Sequence, residues 1–345
     1  MERIYPRTIF GIPMEIKKTG KQYIVEVPHL NMITKSDSKG RAIRDVFDKV
    51  RENLKAKSIE PRAIEDQQYF QNVQIRVFKA NQVLTRLGFT IIADEVTKQD
   101  MSVIEAIYTS IDVNKLKESE RYEIDDKLAN VFSKYVMNPA NRALNMNSLI
   151  MKAEHIKKFS HLVDQAYMSL FRGEFISTIM ILMPVIEGVL LSLYGYDSSS
   201  NKPNENQLLN KWAELEYNHD SKQFPHSFMF DEYIRAFIDI WEQTIFNKHQ
   251  TAKGNLFFNR HYISHLMGEG NFYTRNNAIK MVLLVDLLAY VMAISHGQHH
   301  RFYYDTKGDE YTRRFMHYKK LALNMHDYKS YYTLMREHSY FENNI

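Results

Sequence analysis

The sequence contains no cysteine. Disulfides, thiolate catalysis and cysteine-ligated zinc or iron–sulfur sites are therefore excluded. It also lacks the Gly-x-x-x-x-Gly-Lys-Ser/Thr, Gly-x-Gly-x-x-Gly and Gly-x-Ser-x-Gly patterns. That removes the ordinary NTPase, dinucleotide-binding and α/β-hydrolase readings. The zincin pattern His-Glu-x-x-His is missing too, because Tyr262 follows His261 where the glutamate would stand. No internal repeat, collagen-like stretch or low-complexity tract occurs. The N-terminal MERIYPRTIF has no apolar stretch of the signal-peptide kind, so a cytoplasmic protein is expected. Neither sign of charge dominates: 45 basic against 41 acidic residues leave a net +4. Any affinity for nucleic acid must then come from local patches.

What is present fits a globular protein of two or three domains: 345 residues, 44% hydrophobic and 25% charged. Two apolar runs approach the length of a membrane span. Residues 176–196 are interrupted by Pro184, Glu187 and Gly188. Residues 281–294 contain Asp286 and fall short of the roughly 20 residues a span needs. Both read as buried helices of a bundle, and no membrane association is expected.

The organisation changes along the chain. In residues 1–70, PMEIKK and QYIVEVP flank Thr19-Gly20-Lys21 and read as two strands and a turn, with NMITKS as a third strand. Asp37 or Ser38 then caps a helix with an apolar stripe of Ala42, Ile43, Val46, Phe47, Val50 and Leu54. This is a small α+β module. A polar stretch, 58–68, reads as a linker. Residues 71–150 read as several helices: one ended by Gly88, one entered through Asp100 or Ser102, and one stopping before Asn138-Pro139. Residues 151–300 hold long helical patterns at 153–173, 176–196, 205–217, 230–246 and 275–296, the last capped by Thr274. The tail, 301–345, interleaves Arg301, Phe302, Tyr303, Tyr304, Arg313, Arg314, Phe315, Tyr318, Lys319 and Lys320. Such a pattern either stacks and charges an RNA surface or packs as a helix on its own domain.

The run Arg260-His261-Tyr262-Ile263-Ser264-His265 carries the chemistry. At about 100° per helical residue, Arg260, His261, Ser264 and His265 fall within an arc of roughly 140°. Tyr262 and Ile263 point the other way. An imidazole moves protons near neutral pH, and a guanidinium is a permanent charge for a phosphate. Together they provide what metal-free phosphodiester cleavage requires. Asn259, just before the run, either caps the helix or donates to phosphate.

The string FFNRHYISHLMGEGNFYTRNNAIKMVLLVDLLAYV resembles the C-terminal half of a HEPN domain. That family carries Arg-x(4–6)-His, often as Asn-Arg-His-x-x-x-His-Gly. Arg260 and His265 match the defining pair, and His261 matches a common variant. Leu266 stands where the family has glycine. The resemblance covers 151–300 and implies an antiparallel helical bundle that forms a homodimer across the motif. It also implies a metal-independent endoribonuclease used in abortive infection or toxin–antitoxin defence. Arg260 and His265 would be catalytic, with His261, Asn259, Ser264 and Glu187 supporting and no cofactor or metal. Glu187, in an apolar helix, would pair with Arg260 or His261, or else mark an exposed strip. The segment YIVEVPHL and the helix after it are weakly similar to the HicB antitoxin fold, and a generic ββ(β)α module fits them equally. That module would bind a trigger or regulatory partner.

The expected fold is thus mostly α: a HEPN-like bundle, a helical middle region, a small N-terminal α+β module and a helical aromatic and basic tail. Two other functions compete with RNA cleavage. One is a non-catalytic HEPN-fold module that binds RNA or protein as an antitoxin or adaptor. The weaker one is a metal-dependent hydrolase built on the histidines. His296, His299 and His300 cluster near a helix C-terminus, where the macrodipole explains them better than a metal does.

Overall fold

The computed structural model describes residues 3–9, 12–56, 68–92, 96–197, 199, 201–217, 227–245, 273–297 and 309–324. Helices dominate, with a small antiparallel sheet at the N-terminus.

The sheet is a meander of β1 (Arg3–Ile9), β2 (Ile12–Thr19), β3 (Gln22–Val27) and β4 (Met32–Ser36) in sequential order. The sequence reading has no strand over 3–9; the structure places β1 there although Pro6 cannot donate to a ladder. An edge strand tolerates that, and β1 is an edge, with Pro6 opposite Glu15. Alternation along the inner strands puts Met14, Ile16, Val25 and Val27 in the core. Helix α1 (Lys39–Ala56) lays Ala42, Ile43, Val46, Phe47 and Val50 on β3 and β4. Thr34 ties the two together by donating from Oγ1 to the Ala42 carbonyl at 3.0 Å. Ser38 Oγ accepts from the Arg41 amide, so Ser38 rather than Asp37 caps the helix.

The middle region comprises α2 (Gln68–Leu84), α3 (Lys98–Ser110), α4 (Glu118–Val136) and α5 (Pro139–Asn145). Gly88, at φ 80°, closes the short 3-10 turn after α2. α3 starts earlier than either Asp100 or Ser102 suggests. Thr97 is its cap, accepting from the Asp100 amide at 3.1 Å, and Asp100 lies inside the first turn. α4 ends at Val136, and Asn138 with Pro139 starts the next helix.

Among the described residues, seven further helices follow: α6 (Glu154–Lys157), α7 (Ser160–Phe171), α8 (Phe175–Tyr194), α9 (Glu205–Ala213), α10 (Ser227–Ile240), α11 (Arg275–Ser295) and α12 (Asp309–Leu323). One helix expected over 153–173 is two, broken at Phe159. The break lets the Phe159 ring lie on Gly188 of α8; a methyl at Gly188 would stand 2.7 Å from the ring. Two π turns extend their helices, Met146–Ile150 after α5 and Trp241–Ile245 after α10.

α11 is the hub, packing on α4, α8 and α10. α8 and α11 are each long and apolar enough to cross a membrane by length and composition. Of α11's most apolar stretch, however, 89% is buried against its neighbours, and for α8 the share is 50%. Beyond Arg275 at its start, α11 carries two charges, and both are paired inside the protein. Asp286 meets Arg142 of α5, and Lys280 meets Asp125 of α4 at 2.5 Å.

The tail helix α12 packs on α5 and α7. Tyr318 is buried, donates to Asp164 and lies 5.3 Å from the Phe171 ring. Arg314 faces Asp164 and Glu310. Of the two readings of the tail, packing on its own domain describes Tyr311, Tyr318 and Arg314. Arg301, Phe302, Tyr303 and Tyr304 lie outside the described residues.

The N-terminal module docks on α9 and α10. The approach at Gly40 is so close that a Cβ there would overlap the Asn210 backbone, with the Asn210 Cα only 2.7 Å away. Gly40→Ala gains up to about 1 kcal/mol of helix propensity. Overpacking against backbone that cannot yield costs about 1–3 kcal/mol. The net expectation is a less stable protein, read as a lower urea midpoint. An unchanged or raised midpoint would show that the two helices are not pressed together there.

Candidate functional site

The motif residues Asn259, Arg260, His261, Ser264 and His265 lie outside the described residues. What is on view is how their segment is held at both ends. On the N-terminal side, α10 runs into the π turn Trp241–Ile245, in which Trp241, Thr244 and Ile245 are buried. Trp241 stacks on Phe237 at 5.5 Å. A π turn inserts one residue into the helical ladder, and such turns are frequent at functional sites.

On the C-terminal side, Thr274 caps α11 by accepting from the Asn277 amide at 3.2 Å. The first turn of α11 is pinned to α4. Arg275 donates to Asn130 (2.9 Å), and Asn276 donates to Asp125 (3.0 Å) and Asp126 (2.5 Å). One turn further in, Lys280 is buried between Asp125 and the Phe89 ring, 4.7 Å from its centroid. Burial pushes its ammonium below the usual lysine range, against the pull of Asp125. The described residues on either side of the motif segment, the π turn at 241–245 and the first turn of α11, are thus well packed.

Glu187 is the one predicted supporting residue among those described. It sits mid-helix in α8, largely covered, and its Oε1 accepts from Lys202 at 2.7 Å. Its side chain is 16% exposed and meets Lys202 at the surface, on a helix whose apolar stretch is half buried. The pairing with Arg260 or His261 lies beyond what is described. Lys202 lies in the connection between α8 and α9.

Between α1, α9 and α10 lies a polar cleft of about 730 Å³. Arg44 donates to Asn210 (3.1 Å) and pairs with Glu242 of the π turn, and Arg235 pairs with Asp48 at 2.8 Å. Lys211 and Glu214 complete a lining of both signs. Such a lining exerts little net pull on a phosphate backbone. Its paired charges instead join the N-terminal module to the helix that leads into the motif segment.

Two polar clusters escaped sequence reasoning. In the first, Arg142 Nη1 donates to both oxygens of Asp286 (2.9 and 2.7 Å), and Tyr167 donates to Asp286 at 3.2 Å. The Arg142 and Asp286 side chains are wholly buried. The guanidinium lies over the rings of Tyr135 (4.8 Å) and Tyr167 (5.3 Å). Burial, with Asp286 beside it, holds the Tyr167 hydroxyl well above the usual phenol range. The signal was a lone aspartate in an apolar helix, which implies a buried cation somewhere. Nothing in the sequence says which.

The second cluster joins His296, just after α11, to Glu154 and His155 of α6. His296 Nε2 is 3.1 Å from Glu154 Oε2, and the two imidazoles are 5.8 Å apart. Burial lowers the His155 pKa. His299 and His300 lie outside the described residues. Local sequence offered His296 no carboxylate or imidazole partner from outside its own run; the fold brings both from about 140 positions away.

No protein-family model, no curated protein and no solved structure matches this chain.

Proposed function

We propose that the chain is a cytosolic, metal-independent endoribonuclease of the HEPN type, used in abortive infection or toxin–antitoxin defence. The observation that carries the reading is the sequence spacing of Arg260 and His265, with His261 and Ser264 between them. The mostly helical fold supports it, as does the anchoring of both ends of the motif segment on buried helices.

In this reading neutral His265 accepts the proton of an RNA 2′-hydroxyl as that oxygen attacks the adjacent phosphorus. Arg260 stabilises the negative charge that builds on the non-bridging oxygens. Expulsion of the 5′-oxygen requires a protonated acid, and one imidazole cannot be acid and base at once. A homodimer across the motif supplies the second His265. Asn259, His261 and Ser264 orient the phosphate, and Glu187 orients the cations. The N-terminal module would respond to a trigger or partner. Arg44 supports that role, because it joins α1 directly to Glu242 in the π turn before the motif segment.

The test is incubation of the purified protein with total RNA, with and without EDTA. Cleavage that persists in EDTA is expected. Binding without cleavage would instead favour the non-catalytic RNA-binding module. Activity restored only by zinc or manganese would favour the metal-dependent hydrolase.

A further inference from the structure

We propose that Glu154, His155 and His296 form a divalent-metal site of the zinc class, separate from the Arg260–His265 motif. Each residue offers one ligand atom, and the three atoms lie within 4.8 Å of one another. Tetrahedral zinc with bonds of about 2.0–2.1 Å sets its ligands roughly 3.4 Å apart. The Glu154–His296 separation of 3.1 Å is already close to that. His155 must close by an ångström or so, within reach of a half-exposed side chain.

The hydrogen bonds around the cluster point the same way. His296 Nδ1 lies 2.8 Å from the Met292 carbonyl, which can only accept, so Nδ1 carries the proton. Nε2 is then the ring atom left to ligate, and it faces a Glu154 carboxylate oxygen at 3.1 Å. Either a proton on Nε2 or a bound metal must lie between the two atoms, and zinc titration tells the two apart. The His155 ring is held in place by Ser192 Oγ, 3.1 Å from its Nδ1. Hydrogen bonds of this kind, from the far nitrogen of an imidazole to an oxygen, are the usual outer support of a metal-binding histidine. Two imidazoles and one carboxylate leave a fourth position for water. A metal here would clip α6 to the C-terminal end of α11, closing a loop of some 140 residues of chain.

The experiment strips the protein of metal, titrates zinc against a chromophoric chelator and counts bound zinc after gel filtration. Wild type should keep one tight zinc per chain, and its thermal midpoint should rise by several degrees with zinc. The His155→Ala/His296→Ala variant should lose both effects. Glu154 is mostly exposed, so Glu154→Gln leaves the fold undisturbed and should weaken zinc binding at least about tenfold. No tight zinc in wild type would overturn the site and leave a protonated His296 as the cation facing Glu154. Unchanged affinity in Glu154→Gln, or full stoichiometry in the double variant, would overturn it equally. RNA cleavage is read separately, so neither result depends on the other.

Discussion

Replacing Asp286 with alanine is expected to cost about 3–5 kcal/mol, close to the whole stability of a marginal domain. The carboxylate is the counter-charge of Arg142, and both side chains are fully buried. Removing it strands a guanidinium in a dry interior, next to Tyr135 and Tyr167. The pair joins α5 to α11 while Tyr167 brings in α7, so the loss would loosen the helices on which the motif segment is anchored. Replacing both partners with leucine should recover most of the loss, because the desolvation penalty disappears with the charges. Urea denaturation of the single and double variants reads both effects. A loss below about 1 kcal/mol for Asp286→Ala would mean that water reaches Arg142 and that the pair is not the joint described.

Arg260→Ala and His265→Ala should each lower the rate of RNA cleavage by at least about 10²-fold, roughly 2.7 kcal/mol of barrier. Neither substitution removes a buried partner named above, so folding should persist in both. Arg260→Lys should recover only part of the loss. Lysine keeps the charge but not the planar fork that engages two phosphate oxygens. The double variant should be little worse than the more damaging single one, because groups acting on one transition state are not additive. If Arg260→Ala/His265→Ala cleaves as wild type does, the motif is not the active centre.

Much of this architecture can be read from the sequence, and particular residues show why. Thr274 marks a helix start and Asn138-Pro139 a helix stop through local chemistry, so both boundaries are placed correctly. The α1 stripe emerges from 3.6-residue spacing for the same reason. Local rules fail where distant residues decide. The Phe159 ring at the break lies on Gly188 across the helix pair, and β1 accommodates Pro6 as the edge of the described sheet. The partners of Asp286, Lys280 and His296 are set by tertiary packing, from about 140 positions away or more. The candidate site divides in the same way. Arg260 and His265 are legible because their spacing is local. The Lys202 that meets Glu187 comes from a loop whose sequence shows only turn formers.

The most direct test of the central claim is the chemistry of the RNA ends produced in EDTA. Attack by the 2′-hydroxyl, assisted by His265 and Arg260, predicts 2′,3′-cyclic phosphate on one fragment and 5′-hydroxyl on the other. Fragments bearing 3′-hydroxyl and 5′-phosphate, the products of attack by water activated elsewhere, would contradict it.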